Sequence, residues 1–239
     1  MEEKNKSIVM HKKEEFAGDQ KVGASIFYNL EIKFVEKTIR FVPKWLETYH
    51  LTMMTLIWSG LIVLFGYLAK NNLKWLWLVS LMIFMQYLTD LFDGKVGKLR
   101  KTGLIKWGYY MDHFLDYIFL SSILFVYFFL IPENMKLYDF VIAIIIIGFM
   151  VNSYLNFSVT NKFRIARLGI GPTEGRLFLI LVNTFIIIFG VKNFLAALPW
   201  FVLISSLLLC FVIYRSHKEI WKIDMDRKKS LDDSNRMDV

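Results

Sequence analysis

Six apolar runs, at residues 51–69, 74–93, 108–131, 137–159, 175–191 and 195–214, decide what this chain can become. A helix needs about 20 apolar residues to cross roughly 30 Å of hydrocarbon. Within that layer no water satisfies backbone N–H and C=O groups, so runs of this kind fold as helices that bond internally. The expected fold class is an all-α integral membrane protein with six transmembrane helices. With 56% apolar and 17% aromatic residues and a mean hydropathy of +0.44, the composition excludes a water-soluble domain.

The charges between the runs support the count. Of the 29 Lys and Arg residues, 25 fall in the amino-terminal region, the segments at 94–107 and 160–176, and the tail from Arg215. Cytoplasmic loops carry the basic excess, and this alternation requires an even number of spans with both termini cytoplasmic. The net charge of +8 is thus a topology signal, spread over loops instead of gathered on one basic face, and no nucleic-acid partner is expected. The single cysteine, Cys210, lies inside an apolar run and excludes an internal disulfide.

Ahead of the first run, Ile26, Phe27, Leu30, Phe34 and Phe41 recur at helical spacing, with Glu31, Lys33, Glu36 and Lys37 between them. That pattern predicts an amphipathic helix in the headgroup layer over 24–43, ended by Pro43, and serves equally for a helix packed on the membrane domain. Residues 1–23 and 224–239 are charged and aperiodic, and read as disordered tails. The first fifty residues contain no apolar stretch of signal-peptide length, so the amino terminus is expected to stay uncrossed. The expected organisation is a tail over 1–23, the interfacial helix over 24–43, a six-helix catalytic domain over 44–215 and a cytoplasmic tail over 216–239.

Chemistry concentrates in Asp90-Leu-Phe-Asp93-Gly94-Lys95-Val96-Gly97-Lys98 and, nine residues on, Gly108-Tyr-Tyr-Met-Asp112-His113-Phe-Leu-Asp116. Asp90 and Asp93 are three apart, Asp112 and Asp116 four apart, so each pair shares a helix face. A hairpin of the second and third spans brings the pairs together at the cytoplasmic end. An ionised Asp deep in a membrane helix costs about 2.5 to 3.5 kcal/mol, less near an end. Singly, each would pass for a helix cap or a partner of a nearby Lys. Four together repel unless a cation lies between them. Carboxylate oxygens are hard ligands for magnesium or manganese, which share coordination with substrate phosphates. Gly94, Gly97 and Gly108 would let a phosphate approach the backbone, or serve as helix-packing or loop glycines.

The segment resembles the signature of the CDP-alcohol phosphotransferase family, DxxDGxxAR followed by eight or nine residues and GxxxDxxxD. Every aspartate and glycine of that pattern is present; the usual Ala-Arg pair is Gly97-Lys98 here, an ammonium without arginine's fork. Shorter matches lean to the choline and ethanolamine phosphotransferase branch: Pro43-Lys44-Trp45-Leu46, the pair Asp112-His113, and Gly171-Pro172-Thr173-Glu174-Gly175.

The resemblance implies a lipid-synthesis enzyme in which an acceptor hydroxyl attacks the phosphorus of a CDP-alcohol and CMP leaves. Two ions would neutralise the diphosphate. Asp90, Asp93 and Asp112 are the first-choice ligands; Asp116 completes the set or acts as base. His113 is the rival base, with Glu174 to assist it. Lys95, Lys98 and Arg100 are candidates for the cytidine diphosphate, and Lys162, Arg164, Arg167 and Arg176 for an acceptor or headgroup, although cytoplasmic loops are basic without any ligand. The acceptor is a lipid hydroxyl or a small alcohol, and a homodimer through the later spans is implied. The rival from another class is an ion-coupled transporter or channel using the intramembrane carboxylates. It would be expected to show matched broken spans in two halves, whereas the acidic residues here gather on one hairpin. A catalytically dead relative would be expected to lack an aspartate, and all are present.

Overall fold

The computed structural model describes residues 20–22, 26–100, 104–160, 162–164 and 171–237. A short strand, β1 (Gln20–Val22), precedes α1 (Tyr28–Thr38), α2 (Thr48–Ala69), α3 (Leu76–Arg100), α4 (Ile105–Leu130) and α5 (Lys136–Thr160); β2 (Lys162–Arg164), α6 (Pro172–Phe189) and α7 (Val191–Met237) follow. Six helices among the described residues are long and apolar enough to cross a membrane: Thr48–Ala69, Leu73–Arg100, Ile105–Leu130, Glu133–Thr160, Pro172–Phe189 and Val191–Ser234. The six-span, all-α reading holds.

Where helices begin and end has local causes. Pro43 disfavours the helical conformation at the residue before it, and Val42 is extended after the turn Ile39–Phe41. At the start of α2 the Glu47 amide donates to His50 Nδ1 at 3.1 Å. Gly190, with φ of 81°, ends α6 and lets α7 start at the next residue, a conformation that glycine adopts without a Cβ penalty.

The structure departs from the sequence reading in three places. First, α3 runs to Arg100 instead of ending at 93, because Val96, one heptad after the buried Thr89, continues the buried face; Gly94 and Gly97 are therefore helical. Second, the tail expected to be disordered from 224 stays helical to Met237. No Gly or Pro interrupts it, and Lys222–Asp226, Asp224–Lys228, Lys228–Asp232 and Lys229–Asp233 are opposite charges four apart. Third, Gln20–Val22, assigned to the other tail, pairs in parallel with Lys162–Arg164.

The core joins α2, α3, α4 and α6 through Ile62, Val79, Ile83, Phe119, Ile123 and Ile186. α2 packs chiefly on α3 and α4, α6 on α3, and α5 on α7, while α5 touches α4 only lightly. Polar ties cross the bundle: Asn183 Nδ2 donates to Ser80 Oγ at 3.1 Å and Tyr127 donates to Asn183 Oδ1 at 3.1 Å. Asn183 is thus a helix contact. Glu31 accepts from Tyr87 at 3.0 Å and from Thr173 at 2.8 Å, fastening α1 to α3 and α6, while Ile26, Leu30, Phe34 and Phe41 stay exposed.

At Gly66 the α2 and α4 backbones meet closely. An added Cβ would lie 2.6 Å from Val126 Cγ2 and 3.0 Å from its Cα, and backbone cannot yield cheaply. Small residues at such crossings allow membrane helices to pack. Gly66→Leu is therefore expected to cost about 1–3 kcal/mol through overpacking, read as a lower unfolding temperature in detergent, whereas Gly60→Ala, where nothing lies within 4 Å, leaves it unchanged.

Candidate active site

Both aspartate pairs open on one small cavity. Asp90 and Asp93 from α3, Asp112 and Asp116 from α4, Leu51, Thr52 and Thr55 from α2, and Gln86 and Leu115 line it. Its volume of about 10 Å³ suits a single water or ion. Both pairs face the same space, as their three- and four-residue spacings anticipate, but α3 and α4 do not pack on each other as a hairpin; each packs on α2 instead.

α2 supplies a polar wall. Thr48, Thr52, Thr55 and Ser59 recur at helical spacing in an otherwise apolar span, and all are buried. Thr52 Oγ1 lies 2.7 Å from Asp93 Oδ2, its charged acceptor, with the Thr48 carbonyl at 3.0 Å. Thr48 Oγ1 donates to the Asp93 carbonyl at 3.0 Å. These bonds fix both the backbone and the carboxylate of Asp93. Sequence reasoning missed them, although the stripe of hydroxyls at helical spacing was there to be read.

From α6 comes a buried cation. Arg176 is only 6% exposed, and its Nη2 is 2.9 Å from Asp90 Oδ2 and 3.8 Å from Asp116 Oδ1. Its Nε donates to Gln86 Oε1 at 2.7 Å, which sets the plane of the guanidinium. The sequence reading grouped Arg176 with Lys162, Arg164 and Arg167. The structure places Arg176 inside the bundle, against the carboxylates. Arg167 lies outside the described residues, and of Lys162 and Arg164 only the backbone, in β2, is described.

The remaining candidates scatter around this centre. His113 does not line the cavity; its ring packs edge-on against Tyr109 at 4.4 Å between centroids and near Tyr154 at 5.5 Å, and its carbonyl accepts from the Tyr154 hydroxyl at 3.2 Å. Glu174 accepts from the Gly171 and Ile26 amides, both at 2.8 Å, which caps α6 and holds the chain entering α1. Arg100 donates to the carbonyls of Leu46 at 2.6 Å and Pro43 at 2.9 Å, and so anchors the entry segment of α2. Lys95 is half-buried and Lys98 exposed on the last turns of α3, beside Gly97. A Cβ added at Gly94 or Gly108 would meet nothing within 4 Å, so both helices leave open space there.

In donor chemistry the cavity fits a hard divalent cation, since carboxylates from two helices converge on a space of ionic size. As the side chains lie, no group of three or more His, Cys, Asp or Glu among the described residues is close enough to ligate one ion. Arg176 draws on Asp90 and Asp116 while Thr52 holds Asp93, so part of the donor set is turned toward protein partners. One guanidinium among four carboxylates leaves negative charge in excess, a field that attracts cations.

A family model described as CDP-alcohol phosphatidyltransferase matches residues 43–212, from the segment ahead of α2 into α7, and contains every residue of the cavity. No curated protein and no solved structure gives a match.

Proposed function

Because this chain belongs to the CDP-alcohol phosphatidyltransferase family, membrane enzymes that transfer a phospho-alcohol group from a CDP-alcohol in phospholipid synthesis, we propose that the cavity under Asp90, Asp93, Asp112 and Asp116 is where the diphosphate is cleaved. The observation that carries this reading is that all four aspartates line one ion-sized cavity.

Asp90, Asp93 and Asp112 would hold Mg²⁺ or Mn²⁺, in two ions, which leaves Asp116 as the base. A divalent ion bound there supplies charge neutralisation for the diphosphate and for the departing oxygen. Asp116 lines the cavity and takes the proton of the acceptor hydroxyl, whose oxygen bonds to the phosphorus of the donated alcohol; the bond from that phosphorus to CMP breaks, and CMP keeps the electron pair. His113, outside the lining and packed among Tyr109 and Tyr154, is the weaker choice for base. Glu174 holds the α6 cap in this scheme, and Arg100 the entry segment.

Lys95 and Lys98 receive the cytidine diphosphate as point charges, over the open space at Gly94 and Gly108. Thr52 and Thr48 fix Asp93, and Gln86 orients Arg176. Lys162, Arg164 and Arg167 remain candidates for an anionic headgroup. The lean to the choline and ethanolamine branch, with a lipid hydroxyl as acceptor, rests on Asp112-His113 and the Gly171–Gly175 segment. The basic loops support a cavity and both termini on the cytoplasmic side, and the exposed Ile26, Leu30 and Phe34 support α1 lying in the headgroup layer. A homodimer through the later spans would use apolar surface such as Leu203 and Leu207.

Purified protein given a panel of CDP-alcohols and hydroxyl acceptors is expected to release CMP from one donor class in the presence of Mg²⁺. Chelation by EDTA is expected to stop release, and added Mg²⁺ or Mn²⁺ to restore it. Absence of CMP with every donor and acceptor, or full turnover in EDTA, would overturn the proposal.

A further inference from the structure

Away from the aspartate cavity, a groove of about 290 Å³ opens between α4 and α5 where these helices touch only lightly. Its walls are apolar and aromatic, with Tyr117, Leu124 and Phe128 on α4 facing Ala143 and Ile147 on α5. One charged side chain lines it. Asp139 is only 7% exposed, and among the described residues it makes no hydrogen bond or ion pair. The nearby cation does not pair with it: Lys136 bonds Glu133, and its ammonium sits 4.2 Å from the ring centroid of Phe128, itself part of the groove wall.

A buried carboxylate without a partner is unfavourable, and more so in a membrane-spanning helix. The first-turn position of Asp139 in α5 gives it a favourable helix dipole, yet that leaves its oxygens facing an apolar groove. Whatever fills the space must bring an apolar body and a positive hydrogen-bond donor. Anionic heads are excluded by charge, and a neutral hydroxyl leaves the carboxylate uncompensated. Aromatic rings beside a carboxylate suit an ammonium. A volume just under the ~300–1,000 Å³ of ordinary ligand pockets takes one alkyl chain, so a second chain of the same lipid lies outside the groove.

We propose that this groove binds an amphiphile with an ammonium head, the head on Asp139 and one alkyl chain lying along α4 toward Tyr117. From Phe128 to Tyr117 that path is roughly 16 Å at 1.5 Å per residue, and it ends next to Asp116 in sequence. The head sits at the end of the bundle opposite the aspartate cavity, so this site is separate from the one that cleaves the donor.

Native mass spectrometry of the full chain in maltoside, with equimolar phosphatidylethanolamine, phosphatidylcholine and phosphatidylglycerol, tests this. At least one ammonium lipid is expected to be retained about tenfold over phosphatidylglycerol, the worth of one charge-assisted hydrogen bond. The first two lipids distinguish a primary from a quaternary head. Asp139→Asn is expected to erase the preference, and Ala143→Phe to reduce retention of all three lipids. Equal retention of phosphatidylglycerol by the unaltered chain, a preference that survives in Asp139→Asn, or efficient Ala143→Cys cross-linking between copies in a Cys210→Ser background would overturn the proposal; the last would mean that a second copy covers the groove.

Discussion

Asp93→Asn and Asp112→Asn are each expected to abolish CMP release, measured on purified protein, while the protein still inserts in the membrane. Changes to groups that merely support a metal ligand typically cost about 10–100-fold, so loss of an oxygen that would hold the ion should exceed the upper end of that range. Asparagine keeps the shape of aspartate, and in Asp93→Asn its carbonyl oxygen can still accept the Thr52 hydroxyl now bonded at 2.7 Å. Folding should therefore survive. Stability has a definite sign as well: removing one of four like charges around a cavity of about 10 Å³ relieves repulsion. The unfolding temperature of either variant, measured without divalent ions, is expected to equal or exceed that of the unaltered chain. Near-normal turnover in either variant would count against the proposed chemistry, and a collapse of stability would mean that the aspartates are structural.

Much of this site could be read from the sequence because membrane folding leaves few alternatives. The runs of about 20 apolar residues force helices, and the three- and four-residue spacings of the aspartates then fix which faces they share. Helix ends were harder to read. Hydropathy drops at Gly94, but the α-helix does not stop where apolar residues stop; Val96 still packs, and α3 continues to Arg100. The same confusion of polarity with disorder concealed the charged end of α7, where opposite charges four apart maintain the helix to Met237. The place of Arg176 was hard to read for a related reason. Counting basic residues by loop treats every one near a span end as a topology marker, whereas this one is buried in the bundle. A basic residue inside a membrane-spanning helix instead raises the question of which carboxylates it meets.

Arg176 also provides the sharpest physical test of how the cavity handles charge. Its guanidinium, 2.9 Å from Asp90 and 3.8 Å from Asp116, stands where a divalent ion would draw on the same oxygens. Breaking a buried ion pair by removing one partner costs roughly 3–5 kcal/mol because the remaining charge is left uncompensated. Arg176→Gln should thus unfold at a clearly lower temperature in EDTA. A cation that binds only the folded state restores stability by mass action, and it gains most where no guanidinium competes. The rise in unfolding temperature on adding Mg²⁺ is therefore expected to be larger in Arg176→Gln than in the unaltered chain, while Arg176→Lys, which keeps the charge but loses the fork that also reaches Gln86, falls between them. Turnover in Arg176→Gln should fall as well, because Asp116 loses the group that holds its carboxylate. An Mg²⁺-induced shift of the same size in all three proteins would show that the arginine and the ion do not share these carboxylates, and would place the metal elsewhere.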